Sequence, residues 1–314
     1  MSGRLKNESG FALILTLVVT ALMVAVVVEM IHQVYVDTSL SRSFRDGQQA
    51  SILAESGATG GARLLQMTLS GRSYTALSDR WATPLRLEDE AGSLLITVSD
   101  ESGKINVNGL VQPNGEYEPF TLAMLQRLGT RLKLPADLWS ALADWIDSDD
   151  IPRSGGVESS YYRALKPPYT PRNGKLMTLT ELSLVKGFSP ELLGAVQPCL
   201  TVFSEQGGSL QLLSKININT ASKEVLAALD DRIDSRMAER IVEERRLLPF
   251  KFTGELSRVP GMDTVAASLE GKISVKGNLF RIISVAKVKD SARTVETVVR
   301  LSGGAPEFLS WQEY

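Results

Sequence analysis

The feature that most constrains this chain is an unbroken apolar segment near its N-terminus. Residues 11–28 read FALILTLVVTALMVAVVV, and Thr16 and Thr20 are the only polar side chains in it. An α-helix of this length spans about 27 Å, close to the thickness of the hydrocarbon core of a bilayer. No small-x-small cleavage site follows, because residues 29–32 read EMIH. The segment is therefore predicted to be a single-pass membrane helix that the mature protein keeps.

The residues before this helix carry a second pattern. A short polar segment containing Arg4 and Lys6 ends at Gly10, and Phe11 begins the apolar run. This junction resembles the prepilin leader of type IV pilins and type II secretion pseudopilins. The resemblance implies that a prepilin peptidase cuts between Gly10 and Phe11 and that the new N-terminal residue is methylated. Leu15 departs from the usual pattern, because most such helices carry a glutamate at the fifth position of the mature chain.

Composition narrows the range of functions. The 314 residues are 43 % hydrophobic and 22 % charged, which is enough apolar material for packed cores. The formal net charge of −2 argues against a protein built around nucleic-acid phosphates. Cys199 is the single cysteine and His32 the single histidine, which argues against disulfide frameworks, cysteine-rich zinc sites and a Ser-His-Asp triad. We therefore expect a protein that is not an enzyme.

Hydrophobic patterning predicts an α+β fold. A loosely amphipathic helix is predicted over residues 31–67, and periodicity alone leaves open whether it continues the membrane helix. Short β-branched runs predict strands at 93–99, 279–289 and 294–301, the last two forming a hairpin. Because these strands are far apart in the chain, a small antiparallel sheet must be interrupted by a large insertion, residues 104–276, whose pattern is helical.

These patterns divide the chain into consecutive segments. The predicted segments are a cleaved leader (1–10), a transmembrane helix (11–30), a pilin-like helix with the first strands (31–103), the inserted α-helical domain (104–276), and a C-terminal hairpin with its tail (277–314).

The insertion contains an internal repeat. KINVN at 104–108 returns as KININ at 215–219, and ELSLVKGF at 181–188 returns as ELSRVPGM at 255–262. Two matches in the same order indicate a duplication. We place the two copies at about 104–190 and 214–265.

The second copy is similar to helix-hairpin-helix DNA-binding modules, which bind phosphate through a Gly-x-Gly hairpin at a helix N-terminus. Here Ser189 and Asp263 replace the second glycine of that hairpin in the two copies. Residues 230–246 contain six acids and five arginines, so this segment is not a basic surface. We therefore expect no nucleic-acid partner. A membrane-anchored DNA-binding protein of a DNA-uptake system remains the alternative.

The first copy carries an acidic loop. Residues 144–150 read DWIDSDD, and Glu158 follows a glycine pair. Asp147, Asp149 and Glu158 occupy positions 1, 3 and 12 of an EF-hand spacing, but isoleucine and proline at positions 5 and 6 exclude a true EF-hand. Closely spaced carboxylates favour a calcium ion over magnesium. On composition alone, a solvated acidic turn that caps a helix is favoured over a metal site.

Taken in order, these motifs resemble the type II secretion minor pseudopilin K (general secretion pathway protein K) family. The matching blocks are residues 106–108, 145–149, 156–158 with Tyr162, 169–173, 181–187 and 217–222. The resemblance implies a helical domain inserted into a pilin-like sheet, and calcium bound by acidic residues of that domain. Carried over by motif, the implied ligands are Asp147, Asp149 and Glu158, with Asp150 as a further candidate. Family members also lack the fifth-position glutamate, in agreement with Leu15.

The function that the resemblance implies is structural. It is that of a minor pseudopilin at the tip of the type II secretion pseudopilus, which starts and caps filament assembly for export of folded proteins across the outer membrane. Other minor pseudopilins and the prepilin peptidase are the implied partners. The expected location is the inner membrane, crossed once, with the soluble domain in the periplasm. An anchored periplasmic enzyme is a further alternative, for which the sequence names no catalytic residues.

Overall fold

The computed structural model describes residues 8–90, 92–205 and 214–314, so residues 1–7 of the predicted leader lie outside it. The helices are α1 (Glu8–Leu69), α2 (Pro119–Leu132), α3 (Leu138–Ile146), α4 (Ser159–Arg163), α5 (Pro190–Val196), α6 (Lys223–Ala228), α7 (Ser235–Leu247) and α8 (Asp263–Ser268). The strands are β1 (Leu85–Asp89), β2 (Gly92–Asp100), β3 (Ile105–Asn106), β4 (Leu200–Thr201), β5 (Ile216–Asn217), β6 (Ile273–Ser274), β7 (Leu279–Val288), β8 (Ser291–Arg300) and β9 (Glu307–Glu313).

Helix α1 is continuous over 62 residues, or about 93 Å. It therefore joins the apolar run to the predicted pilin-like helix without a break. Every residue from Gly10 to Arg45 is exposed, and burial begins at Asp46. Beyond that point an apolar stripe packs against the rest of the protein: Ala50, Ala54, Ala58, Ala62, Leu65 and Leu69. This spacing places the stripe on one helix face, and its alanines allow the helix to approach closely.

The sheet beneath α1 is antiparallel throughout, with strand order β1-β2-β7-β8-β9. Its inner face contributes Ile96, Phe280, Ile282, Val295 and Val299 to the core that contacts α1. The predicted α+β class and the small antiparallel sheet around the long helix are therefore confirmed.

Two strands of this sheet were not predicted from the sequence. Strand β1 precedes β2 as the outer arm of a hairpin, and all five of its residues are exposed. Strand β9 forms from the C-terminal tail and pairs with β8, with a register shift between Val298 and Val299. Phe308 and Trp311 of β9 stack edge to face, with ring centroids 5.6 Å apart. The tail is thus part of the sheet.

The insertion leaves the sheet at the end of β2 and returns at the start of β7. Two short parallel strand pairs lie within it: β3 pairs with β4, and β5 pairs with β6. The first strand of each pair lies at the start of a predicted copy, and the second strand lies shortly beyond its predicted end. The copies share one hydrophobic core. Helix α2 of the first copy contacts α6 of the second. Arg127 Nε also donates to Asp231 Oδ1 at 2.7 Å across this boundary.

A buried polar network joins the insertion to the sheet. Asp100 Oδ2 accepts hydrogen bonds from Asn217 Nδ2 at 2.7 Å and Thr220 Oγ1 at 2.8 Å, and its Oδ1 accepts from Ser102 N at 2.8 Å. Burial raises the pKa of Asp100 to about 6, although these three donors oppose the shift. The carboxyl group therefore links β2 to the second copy.

Candidate metal centre

The acidic loop of the first copy begins at the end of α3. Asp144 lies in the last turn of this helix and is completely buried. Asp147 is the residue at which the helix ends, and it is 5 % exposed. Because residues three apart share a helix face, the two carboxylates lie on the same side of the chain. Burial, opposed by Arg153, raises the pKa of Asp147.

Glu158 completes the cluster from the other end of the loop. One potential ligand atom from each of Asp144, Asp147 and Glu158 lies within 4.8 Å of the others. Glu158 precedes α4 as its N-cap, a position where side-chain oxygens usually accept the first helical N–H groups. Its side chain makes no such bond. The carboxylate is instead turned towards the two aspartates.

Three of the six carboxylate oxygens of this cluster lack hydrogen-bond donors among the described residues. Both carboxylate oxygens of Glu158 and Oδ1 of Asp147 are buried and have no partner among the described residues. Burial, together with the negative charges of Asp144 and Asp147, raises the pKa of Glu158 to about 7. A buried carboxylate without a donor is costly to keep ionised unless a cation contacts it.

A guanidinium contacts the other side of the cluster. Arg153 Nη1 donates to Asp144 Oδ1 at 2.7 Å and to Asp147 Oδ2, while Nη2 donates to the carbonyl oxygen of Gly115 at 2.5 Å. The guanidinium carbon lies 5.0 Å from the ring centroid of Tyr117. The arginine therefore links the acidic loop to the segment before α2.

Gly156 allows the loop to pass over Asp144. A Cβ added at this glycine would lie 1.9 Å from Asp144 Oδ2, which no side chain tolerates. The same Oδ2 accepts a hydrogen bond from the backbone N–H of Arg153 at 3.1 Å. The loop backbone thus encloses the cluster closely.

The structure separates the four predicted ligands into two pairs. Asp147 and Glu158 are in the buried cluster, whereas Asp149 and Asp150 are exposed. Asp149 Oδ1 accepts a hydrogen bond from Ile151 N at 2.8 Å, and Asp150 Oδ1 accepts one from Ser159 N at 3.2 Å. These two carboxylates therefore shape the loop, and neither joins the cluster of buried acids. Asp144 takes the third place in it.

The residues present fit a divalent cation that prefers oxygen. Three carboxylates supply hard anionic ligands, each of which can bind through one or two oxygens, as calcium requires. When all three carboxylates are ionised, their charges and the positive charge of Arg153 sum to −2. The donor-free oxygens of Asp147 and Glu158 are the observation that favours a cation there. When bound, calcium would supply charge neutralisation and would fix the loop, and Asp144, Asp147 and Glu158 would hold it.

The other predicted site lies at the N-terminus. Gly10 and Phe11 fall in the first turns of α1, and Phe11 is 71 % exposed. The helix from Gly10 to Leu69 contains an 18-residue window with a mean hydropathy of 3.0, so it is long and apolar enough to cross a membrane. The cut between Gly10 and Phe11 remains a prediction.

The two hairpins of the duplicated unit have the same backbone geometry. Gly187 and Gly261 both have positive φ, at 91° and 90°, which favours glycine. After the first hairpin, Ser189 Oγ already accepts the N–H of Leu192 at the start of α5. After the second, exposed Asp263 begins α8. In both hairpins a polar side chain thus stands where the phosphate-binding hairpin has its second glycine. The absence of a nucleic-acid partner remains a prediction.

The insertion matches models of a known protein family. Two family models match the insertion, one over residues 103–205 and the other over residues 216–276, and both describe protein K of the type II secretion system. Together they cover more than half of the chain. The chain belongs to the type II secretion system protein K family. The general role of a minor pseudopilin of this system follows from that membership.

Individual relatives agree with this family. Type II secretion system protein K of Pseudomonas aeruginosa is 28 % identical, with 94 % of this chain and 89 % of the relative covered. Protein K of Aeromonas hydrophila is 26 % identical, with 96 % and 98 % covered. The fold resembles a chain in the crystal structure of the GspK-GspI-GspJ complex of enterotoxigenic Escherichia coli, with a TM-score of 0.70, 23 % identity, and 87 % and 99 % covered.

Sequence reasoning missed two members of the acidic centre. Asp144 was visible as one of four closely spaced carboxylates, and its position three residues before Asp147 on a helix was a usable signal. Arg153 carried no such signal, because its contacts with α3 and Gly115 form only when the loop folds back.

Proposed function

We propose that this protein K family member starts and caps the type II secretion pseudopilus at its tip. The observation that carries the proposal is helix α1, whose residues from Gly10 to Arg45 are exposed and whose remainder packs on a sheet carrying a large insertion. The exposed half offers neighbouring subunits a helix to pack against. The related structure is a complex of three such proteins, and other minor pseudopilins are the proposed partners here.

Two features support a place at the end of the filament. Leu15 replaces the usual glutamate, so this subunit has no carboxylate with which to bind the N-terminal amine of a subunit above it. The insertion, between Asp100 and Leu279, adds bulk that a regularly stacked pilin lacks. Both features make the addition of a further subunit above this one difficult.

Processing by the prepilin peptidase is tested by intact mass. We expect protein from cells with the peptidase to lack residues 1–10 and to carry one added methyl group, and protein from cells without it to be uncut. Gly10→Val is the matched control and should remain uncut in both strains. An uncut parent chain in the presence of the peptidase contradicts processing as a pseudopilin. It would leave a single-pass anchor of the inner membrane with a periplasmic domain.

The tip position is tested by cysteine crosslinking. The single native cysteine, Cys199, is buried, so an added cysteine on the surface reports its own position. Phe44→Cys on the free half of α1 should crosslink to other minor pseudopilins, because Phe44 is 71 % exposed there. Leu247→Cys, at an exposed site of the insertion, should not form crosslinks with a pseudopilin stacked above. Equal crosslinking from both sites contradicts capping.

We also propose that the acidic centre binds calcium through Asp144, Asp147 and Glu158. The donor-free buried oxygens of Glu158 carry this part of the proposal. In the parent protein, calcium should raise the melting temperature above that in excess chelator. Asp147→Ala should melt lower in calcium and should lose the calcium dependence. Identical melting curves of the parent in calcium and in chelator contradict a calcium site.

A further inference from the structure

Arg153 is an unusual component of a site for a cation. Its side chain is 17 % exposed and pairs with Asp144 and Asp147, whose side chains are 0 % and 1 % exposed. An arginine keeps its charge throughout the accessible pH range. We propose that Arg153 is a built-in counter-cation of the acidic centre, which keeps the loop folded without metal and weakens calcium binding. This inference rests on the proposed calcium site.

The charges of the acidic centre require a counter-cation. Three buried carboxylates within 4.8 Å of one another repel strongly in a medium of low dielectric. The guanidinium bridges two of them through the single atom Nη1, so it offsets much of that repulsion. The loop can therefore close before a metal ion arrives.

The guanidinium is also fixed in place by several contacts. The backbone N–H of Arg153 donates to Asp144, and Nη2 donates to Gly115 O. The ring of Tyr117 lies against the guanidinium. These contacts come from both ends of the side chain, and they favour retention of the arginine when the ion binds. Its positive charge then repels the ion.

Three carboxylate oxygens of the centre accept no hydrogen bond from the described residues and are therefore available to an ion. Arg153 uses Asp144 Oδ1 and Asp147 Oδ2. Asp147 Oδ1 and both oxygens of Glu158 have no donor among the described residues. The net charge of −2 matches one divalent ion. Without Arg153 the charge would be −3, which favours a trivalent ion more strongly.

The test uses the full-length protein in detergent and compares the parent with Arg153→Gln. Calcium affinity is measured by titration calorimetry, and terbium binding by its luminescence, with Trp145 next to Asp144 in the chain as the sensitiser. We expect Arg153→Gln to bind calcium at least about tenfold more tightly than the parent does. This is the effect of removing one unit charge about 5 Å from a divalent ion in a water-like dielectric. Its preference for terbium over calcium should rise. In chelator it should melt below the parent.

Two further variants separate charge from structure. Arg153→Lys keeps the charge and should return calcium affinity close to that of the parent. Arg172→Gln removes an exposed arginine paired with Glu181 and should leave calcium affinity unchanged. A merely structural Arg153 would produce lower stability and weaker calcium binding together.

The outcomes distinguish this inference from the calcium site itself. If the parent binds calcium and Arg153→Gln binds it equally or more weakly, the counter-cation role is wrong and the calcium site stands. If neither protein binds calcium, both proposals fail. If only Arg153→Gln binds calcium, the counter-cation role is supported and the calcium site of the parent is wrong, because Arg153 takes the place of the metal ion. Should Arg153→Gln fold only in calcium, the rate of ion release to chelator decides: slower release than in the parent supports the role, and equal or faster release overturns it.

Discussion

Asn108 and Asn219 perform the same structural task in the two copies of the insertion. Asn108 Nδ2 donates to Leu176 O at 2.9 Å, and its Oδ1 accepts from Leu176 N at 2.8 Å. Asn219 Nδ2 donates to Phe250 O at 2.8 Å, and its Oδ1 accepts from Phe250 N at 2.9 Å. Each amide thus pairs with one backbone residue much as a neighbouring strand would. Each also donates from Nδ2 to a second carbonyl, that of Val202 or Val275.

Replacement of either asparagine should be costly, because it leaves buried backbone groups without partners. We expect Asn219→Ala to lower the free energy of unfolding by about 2–4 kcal/mol, from about 1 kcal/mol for each lost bond and the penalty for orphaned groups. Asn108→Ala should behave similarly. Asn114→Ala, at an exposed position, should change it by less than about 0.5 kcal/mol. Urea unfolding followed by tryptophan fluorescence measures all three. An Asn219→Ala variant as stable as Asn114→Ala would refute this account.

Two glycines of α1 should respond to alanine in opposite directions. A Cβ at Gly57 would lie 2.3 Å from Ser284 Oγ and 2.8 Å from Leu94 Cδ1, so Gly57→Ala forces the helix away from the sheet. We expect a loss of about 1–3 kcal/mol. A Cβ at Gly60 meets nothing within 4 Å, and Gly60→Ala should gain up to about 1 kcal/mol from helix propensity. Thermal unfolding of the pair measures the sign. Stabilisation by both substitutions would mean that α1 does not approach the sheet this closely.

The Asp100 network predicts a particular pH dependence of stability. The folded pKa of about 6 exceeds the ordinary value of 3.8. The folded state therefore holds this proton more tightly, and stability falls as pH rises between these values. Relative to Asp100→Asn, the parent should lose about 2 kcal/mol between pH 4 and pH 6.5, out of a full difference of about 3 kcal/mol, and then level off. The negative charge of Glu205 acts in the same direction on Asp100.

The difference in the free energy of unfolding between the parent and Asp100→Asn at each pH removes the contribution of other titrating groups, Glu158 among them. Urea unfolding at half-unit pH steps gives the two curves. Parallel curves across this range would show that the Asp100 carboxyl group does not titrate as its burial requires.

Substitutions of Glu158 and Asp149 test whether the buried cluster or the exposed loop carboxylate binds calcium. Glu158→Gln removes a carboxylate whose oxygens have no donor, so we expect the calcium-induced rise in melting temperature to disappear. In chelator this variant should melt at or above the parent, since a buried acid is lost. Asp149→Asn alters an exposed loop residue and should keep the calcium response. The opposite pattern in the two melting series would restore Asp149 as a ligand and remove the cluster from consideration.

Much of the fold was predictable where one residue pattern carried the signal. The apolar run and the helix after it appear as a single α1, and the Val/Ile-rich runs appear as β7 and β8. Strand β1 was missed because LRLED is short and contains no β-branched or aromatic residue, although its two leucines alternate with polar residues. Strand β9 was missed because EFLSWQE does not alternate regularly between apolar and polar residues, and its pairing with the preceding strand β8 includes a register shift.

The acidic centre was predictable in part for a similar reason. Asp147 and Glu158 stand out by spacing along the chain. The exchange of Asp149 for Asp144 depends on which carboxylates face inward at the end of α3, and this is decided by packing around Trp145 and Tyr162, whose ring centroids lie 5.1 Å apart. The Arg153 contacts form only when the loop after α3 folds back over the end of that helix. The local sequence pattern shows neither which carboxylates face inward nor where Arg153 makes its contacts.

The path of the insertion has a consequence for the order of folding. Asp100 and Phe280 are direct partners in the β2–β7 pair, and Glu101 N donates to Leu279 O at 2.8 Å. If the intervening chain were a flexible coil, closing this pair would cost about 3 kcal/mol more in loop entropy than closing a four-residue hairpin, at about 0.6 kcal/mol for each doubling of length. An insertion that has already folded brings its own ends together, where Ser102 Oγ accepts hydrogen bonds from the N–H groups of Asn278 at 3.1 Å and Leu279 at 3.2 Å. We therefore expect the helical domain to form first and to act as the turn on which the sheet closes.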